Sequence, residues 1–276
     1  MVQTEVPRLE EKEFQKLSQF IESEVGIKMP PAKKILIESR LQKRLKKLNI
    51  SSFKEYCDHV FKESSREELI DMIDAITTNK TDFMREPAHF DFLVHRALPD
   101  ISNNKNQFKL WSAASSTGQE PYNLAMFMEE FRRGKSGLDY SITATDISKS
   151  CLEKGRSALY TLKDIDDLTL DFKKKYFLKS KDPGSDQVKI KKHLRDKVHF
   201  QSINLMKDDY GLRDKYDIVF CRNVLIYFDR DNQIKVINRI VSHMNRGGYL
   251  FLGHSESMAG INSGLTSLAS SIFKKD

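Results

Sequence analysis

Apolar positions recur at helical spacing through the first third of the chain. Between Glu10 and Glu24, Phe14, Leu17, Phe20 and Ile21 share one face, which predicts an amphipathic helix. Gly26 and the Pro30-Pro31 pair end it, and Pro31 suits the first turn of the next helix. That second helix, Ala32 to Leu48, aligns Ile37, Leu41, Leu45 and Leu48 on one side and Lys33, Arg40, Arg44 and Lys47 on the neighbouring side. Ser51-Ser52 caps a third helix through Phe61, and Arg66–Ile76 supplies a fourth. No strand signal interrupts residues up to about Asp82, so this stretch reads as a small helical module.

From Phe108 the texture changes. Short apolar runs at Phe108–Ala114, Tyr140–Ile147, Val198–Asn204, Tyr216–Cys221 and Tyr249–Gly253 alternate with helical patterns at Glu120–Arg133, Lys149–Leu159 and Asn232–Met244. Strands alternating with helices predict a parallel α/β sheet wrapped on both faces. One segment breaks the rhythm. Between Tyr160 and Lys197 the chain is polar and lysine-rich around the turn Asp182-Pro183-Gly184-Ser185, and its flanks Tyr176–Leu178 and Val188–Ile190 are expected to pair as a hairpin. A small β element inserted at about 170–197 is therefore expected.

Ligands of such sheets bind at the carboxyl ends of the strands, where strand order reverses. The polar oddities of the chain fall there. After the first strand, Ala113 to Gly118 are small residues that let backbone approach a ligand, and Pro121 fits the first turn of the following helix. Neither GxGxxG nor GxxxxGK[ST] is present, so a pyrophosphate cradle is not indicated. Glu120 would repel a phosphate and suits a cationic ligand such as an amino-acid ammonium. Asp146, ending the second strand, can accept from both hydroxyls of a ribose, although Asp146 or Ser148 can equally be a helix cap. Asn204 and Leu205 match the edge and face of adenine, and Arg222, Asn223 and Tyr227 stand in an apolar context that makes them costly unless they meet partners. A ligand carrying adenine, ribose and an amino acid fits S-adenosylmethionine better than NAD or ATP. The polar run Thr77 to Pro87 reads by itself as a capped turn with an aromatic staple.

Composition narrows the class. Of 276 residues, 39% are hydrophobic and 31% charged, as in soluble globular proteins, and no long uncharged apolar run is present to span a membrane. The N-terminus is charged and lacks the apolar core of a secretory signal. Cys57, Cys151 and Cys221 are few and far apart, with neither a disulfide framework nor metal-ligand spacing, so a cytoplasmic protein without a metal is expected. The net charge of +7, concentrated in Lys33–Lys47 and Lys173–Lys197, asks for an acidic partner. Nucleic acid is disfavoured as that partner by the lack of a [DNS]PP[YF] motif and of zinc-type cysteine spacing. A module that senses the cofactor without catalysis is disfavoured by the intact set Glu120, Asp146 and Arg85.

The stretches TTNKTDFMREP, WSAASSTGQEPYNLAM, ATDIS, SINL, DIVFCRNVLIYFD and GGYLFLGHSES together resemble the chemotaxis receptor methyltransferases of the CheR type, in the family's order and approximate spacing. The resemblance covers nearly the whole chain. It implies a Rossmann-like class I methyltransferase sheet at 86–276, an all-helical N-terminal domain at 1–85 with a basic helix, and a small inserted β-subdomain. It implies S-adenosylmethionine as methyl donor, S-adenosylhomocysteine as product, and methyl esters formed on glutamates of methyl-accepting chemotaxis receptors, which are cytoplasmic helical bundles. Cofactor contacts then fall on Asn79, Thr81, Arg85, Glu120, Asp146, Asn204, Leu205 and Asn223. Arg85, Arg222 and Tyr227 are placed near the transferred methyl, and Lys33, Arg40, Arg44 and Lys47 as the receptor-docking stripe. Met84 stands where the family often has a second phenylalanine, and Gln119 where it often has an acid. Some members dock a C-terminal receptor peptide on the β-subdomain; the single glycine in the 181–186 turn favours the other group. Nothing in the sequence requires more than a monomer.

Overall fold

The computed structural model describes residues 7–62, 66–102, 105–261 and 263–276; the first six residues, part of the stretch read as no secretory signal, lie outside it. Helix α1 (Glu11–Val25) buries Phe14, Leu17, Ile21 and Val25, the face its periodicity marked. It stops at Gly26, whose φ of 70° is open to glycine at little cost. A Cβ there would lie 2.6 Å from the Met206 sulfur, so the same glycine also lets the helix end press against the second half of the molecule. One 3₁₀ turn, Pro31–Lys33, leads into α2 (Lys34–Leu48), which buries Ile37, Leu41 and Leu45. Then follow α3 (Phe53–Val60), capped by the Ser52 hydroxyl, and α4 (Arg66–Ile76). Their apolar faces meet in one core around Leu17, Ile21, Leu41 and Tyr56, each buried aliphatic contributing about 1.5–3 kcal/mol.

The cationic side of α2 does not face solvent throughout. Helix α4 brings acids against it, so the Arg44 guanidinium is bidentate to Glu68 (3.1 and 2.5 Å) and reaches Asp71 at 2.6 Å. The Tyr56 hydroxyl donates to the same Glu68 at 2.8 Å. The hydrogen bond that Arg44 donates to Glu68 raises its guanidinium above the ordinary arginine range, against the pull of burial. Arg40 is likewise occupied, donating to the Ile76 and Thr77 carbonyls. Arg40 and Arg44 of the basic stripe are thus engaged by α4, because a half-buried cation needs partners. Lys47 stays largely exposed, 3.8 Å from Asp71, and Lys33 points toward Tyr227.

Short helices α5 (Pro87–Phe92) and α6 (Leu98–Ser102), joined through a π-helical turn at Leu93–Ala97, lead into the sheet. The strands are β1 (Gln107–Ala113), β2 (Asp139–Asp146), β3 (Leu159–Thr161), β4 (Phe177–Lys179), β5 (Gln187–Ile190), β6 (Val198–Ser202), β7 (Tyr216–Cys221), β8 (Met244–Leu252), β9 (Leu265–Ala269) and β10 (Ile272–Lys275). Between them run α7 (Gln119–Arg132), α8 (Lys149–Ser157), α9 (Leu170–Tyr176), α10 (Lys192–Arg195) and α11 (Arg230–Ser242). Seven strands form one sheet in the order β6-β2-β1-β7-β8-β10-β9. The first five are mutually parallel, and β10 runs antiparallel to both its neighbours. Strand order reverses between β1 and β7, which opens the crevice there.

Central β7 is buried at every position, with Ile218 and Phe220 packed on one face and Val219 and Cys221 on the other. Phe220 stacks on Phe251 of β8 at 4.4 Å. Its one charged residue, Asp217, is met by Lys105 at 2.6 Å, the Lys109 amide at 2.9 Å and Asn245 at 2.7 Å. The three cysteines are buried and unpaired, and no described helix is long and apolar enough to cross a membrane.

The expected hairpin exists as β4 against β5, and β3 adds a third strand to the other side of β5. Sequence reading had placed Leu159 at the tail of α8. The chain instead turns at Ala158, at φ 54°, and becomes extended. The β9–β10 hairpin and helices α5 and α6 were not expected. Strand β9 is exposed on both faces and rich in serine and threonine, so it carries no alternation to read.

The Arg44 network yields a test. Arg44→Ala leaves Glu68 buried with an uncompensated charge and is expected to lower unfolding free energy by about 3 kcal/mol. Urea denaturation with an unshifted midpoint would show that the network contributes nothing.

Candidate active site

The carboxyl edge of the sheet meets the helical module around a cavity of about 310 Å³. The two halves are tied there by backbone and side chain. The Lys28 amide donates to the Tyr227 carbonyl at 3.1 Å, and the Asn204 amide nitrogen donates to the Glu24 carbonyl at 2.7 Å. Ser148, N-cap of α8, donates to the Asp74 carboxylate of α4. Asn79, Thr81, Arg85, Glu120, Asp146, Asn204, Leu205, Arg222, Asn223 and Tyr227 all line this one cavity, joined by Lys33 from α2.

After β1 the chain turns through Ala114, Ser116 and Gly118, all at positive φ. For alanine and serine this costs of order 1–2 kcal/mol and persists only where contacts over-determine it. The contacts are present. The Ser115 amide donates to the Thr145 carbonyl, the Ser116 amide to Asp146 at 2.8 Å, and the Ser116 hydroxyl to the Asn79 carbonyl at 2.8 Å. A Cβ at Gly118 would sit 2.8 Å from the Tyr160 hydroxyl oxygen, so only glycine fits. The Ser115 hydroxyl is buried at the cavity and has no hydrogen-bond partner among the described residues.

Asp146 accepts from the Ser116 and Ser148 amides. Burial pushes its carboxyl above the usual range, and those amide hydrogen bonds offset part of the rise. Ser148 is the cap of α8, and Asp146 lines the cavity.

Glu120, in the first turn of α7, accepts from the Ser112 hydroxyl at 2.6 Å and from Arg222 Nε at 2.7 Å. Arg222 is buried and paired through Nε and Nη1. Its Nη1 also donates to the Arg85 carbonyl at 2.8 Å and approaches Glu86 at 3.4 Å, while the guanidinium lies over the Phe90 and Phe220 rings. Arg85 is half-buried, donates to the Lys80 carbonyl at 3.1 Å, and has no carboxylate partner among the described residues. Asn204 uses its amide at both ends, accepting from the Met206 amide and donating to Glu24, so it holds the roof of the cavity as well as lining it.

Glu86, His89 and Glu256 were not singled out from the sequence. Glu86, at φ 56°, accepts from Asn223 Nδ2 at 3.1 Å. Burial opposes its ionisation, but the Asn223 hydrogen bond and the Arg222 charge outweigh that and hold its carboxyl below the usual range. Glu256 accepts four backbone amides, from Asn223, Val224, Leu225 and Gly253, and so fixes the loop that carries Arg222 and Asn223. Burial raises its carboxyl despite those amides. The rule that found Glu120 and Asp146, a carboxylate just past a strand end, applied after β8 would have found Glu256. Glu86, His89 and His254 bring ligand atoms within 4.8 Å of one another. Arg222 donates into that cluster, and its charge stands where a cation would.

His89 Nδ1 lies 3.2 Å from Arg222 Nη1, and Nε2 lies 3.0 Å from the Ser271 hydroxyl, which itself donates to the Ser270 carbonyl. The arrangement requires Nε2 to carry the proton and Nδ1 to accept. Burial and the adjacent guanidinium hold this imidazole down at about 4.

The doubly wound sheet thus holds a switch-point cavity lined by Glu120 and Asp146, without a phosphate loop. Comparison with known proteins gives the family. Residues 79–273 match the family described as CheR methyltransferase, SAM binding domain, and residues 12–77 match its all-alpha domain. Chemotaxis protein methyltransferases are similar over most of their length. That of Vibrio parahaemolyticus is 40% identical over 92% of each chain, and that of Borreliella burgdorferi is 36% identical over 96% of this chain and 94% of its own. That of Escherichia coli K12 is 33% identical over 93% of this chain and 88% of its own. The chain belongs to the CheR methyltransferase family.

The histidine gives a pH test. Its proton affinity is lower folded than unfolded, so between about pH 6.5 and 4 the unfolded chain binds more protons. The stability that neutral His89 provides is therefore complete above pH 6.5 and lost as pH falls toward 4. The excess in melting temperature of the native chain over His89→Gln is expected to narrow across that window. A gap independent of pH would contradict a neutral imidazole.

Proposed function

We propose that this chain transfers the methyl group of S-adenosylmethionine to glutamate side chains of methyl-accepting chemotaxis receptors, forming methyl esters, as a cytoplasmic monomer. The carrying observation is the chemistry of the cavity wall. Among the described lining residues there is no histidine or cysteine, and Glu120 is committed to Arg222. A wall without histidine or cysteine suits an acceptor that arrives already ionised, as a glutamate does at neutral pH.

The bound cofactor supplies an electrophilic methyl group. Around it, Glu120 receives the ammonium, Asp146 the ribose hydroxyls, and Leu205 with Asn204 the adenine. Asn79, Thr81 and Asn223 close the site from the loops on either side. Arg85 orients the acceptor carboxylate, because its guanidinium has no carboxylate partner among the described residues while that of Arg222 is already paired with Glu120. Tyr227 shapes the channel, with the Lys33 ammonium 5.4 Å from its ring centroid. Bringing a carboxylate to a sulfonium cancels charge in the transition state, so alignment rather than proton transfer lowers the barrier, with an upper value of roughly 7–11 kcal/mol. An arginine that gripped the acceptor equally in ground and transition states would add nothing to turnover.

A protein acceptor fits the rim. Ile35 is 81% exposed, Leu36 41% and Ile226 48%, and the last two line the cavity mouth beside Lys33 and Lys80. Apolar side chains flanked by cations match an acidic helix surface. Lys33 and Lys47 are the members of the basic stripe left accessible for that contact.

Two measurements test this. Incubated with labelled S-adenosylmethionine and receptor-containing membranes, the chain should label receptors, and mild alkali should release the label, as methyl esters but not N-methyl groups are lost. Label that stays, or none incorporated, defeats the proposal. In Arg85→Ala, turnover on receptors should fall about a hundredfold or more while cofactor Kd changes less than about tenfold. Equal losses in both would remove Arg85 from the acceptor.

A further inference from the structure

Helix α4 ends at the cavity with its last carbonyls unmatched by any basic residue of its own final turn. Those groups carry the negative end of the helix dipole and need a donor or a cation. The donor comes from another helix. Arg40 of α2 places one guanidinium nitrogen 2.6 Å from the Ile76 carbonyl and 2.8 Å from that of Thr77. The next residues, Thr77 to Thr81, form the cavity wall.

The bonds continue inward. Thr77 Oγ1 donates to the Asp74 carbonyl and accepts from Asn79 Nδ2 at 3.2 Å. The Asn79 carbonyl accepts from the Ser116 hydroxyl, and the Ser116 amide donates to Asp146. One run of hydrogen bonds therefore links the middle of α2 to the turn after β1. We propose that Arg40 is a positioning residue for the cofactor: it clamps the end of α4 so that the Thr77–Thr81 wall stands at the distance the ligand needs. This rests on the assignment of the cavity to S-adenosylmethionine. It replaces a surface docking role for Arg40 with an internal one. It also makes α2, which carries Lys33 and the exposed rim, mechanically continuous with the cofactor wall.

The test is calorimetric titration of S-adenosylhomocysteine into the full chain and into Arg40→Ala, Arg40→Lys and Arg44→Ala. Arg40→Ala, which loses both charge-assisted hydrogen bonds to the end of α4, should raise Kd about tenfold. Arg40→Lys should recover part of it, since an ammonium can still donate to both carbonyls. The Michaelis constant for receptor at saturating cofactor should not move. Arg44→Ala, which loosens the same pair of helices without touching the Thr77–Thr81 wall, controls for instability. An unchanged Kd with a raised receptor Michaelis constant makes Arg40 a docking residue and overturns the proposal. An equal rise of Kd in Arg44→Ala overturns it as well. No binding by the native chain would instead defeat the cofactor assignment beneath it.

Discussion

A guanidinium buried between two carboxylates organises this molecule. Removing an arginine from water costs several kcal/mol unless its charge and its donors are met. Arg222 meets that cost with Glu120 on α7, Glu86 in the preceding loop, the Arg85 carbonyl and His89. Each partner is thereby held in one place. Glu120 is aimed into the cavity, the loop at 84–86 is held with Met84 and Glu86 at positive φ, and His89 is kept neutral. Within this cluster one cation meets two carboxylates, of which Glu120 lines the cavity. That imbalance suits a ligand with a cationic end, and an ammonium on Glu120 would complete the set. Glu256 supports the arrangement from behind by taking the four amides around the Arg222 loop.

The helical module is the other half of the site rather than an appendage. The sheet provides the floor, and the ends of α1 and α4 provide the roof, with Val25, Ile27, Ile76 and Thr77 among the lining residues. Its seat depends on the tight contact at Gly26, the backbone hydrogen bond from Lys28 to Tyr227, and the Asn204 side-chain amide. Residues that approach the ligand from this side also support the surface that an acceptor protein would meet. In the proposed reaction, acceptor and cofactor would share this wall, so the junction would serve the alignment that the chemistry most needs.

Much of this was legible in the sequence because the signals were periodic or local. Apolar spacing located α1 through α4, alternating texture located the parallel strands, and polar residues just past strand ends located Glu120, Asp146, Asn204 and Asn223. What was not legible depends on partners distant in sequence. Helical periodicity shows that Arg40 and Arg44 share a side of α2, but not that Glu68, Asp71 and the carbonyl end of α4 lie opposite. Arg222 reads as an active-site cation until Glu86 and Glu120 are seen to enclose it. Strand β9 is an exposed edge, so no face had to be apolar, and β3 is too short to show a period.

A crystal structure of the chain with S-adenosylhomocysteine bears on the placement of every group in the cavity. The ammonium should lie within hydrogen-bond distance of Glu120, the ribose hydroxyls on Asp146, and the adenine against Leu205. A ligand bound in the reverse sense, or outside the space between α4 and the β1–β7 switch point, would contradict the charge argument on which the site has been built.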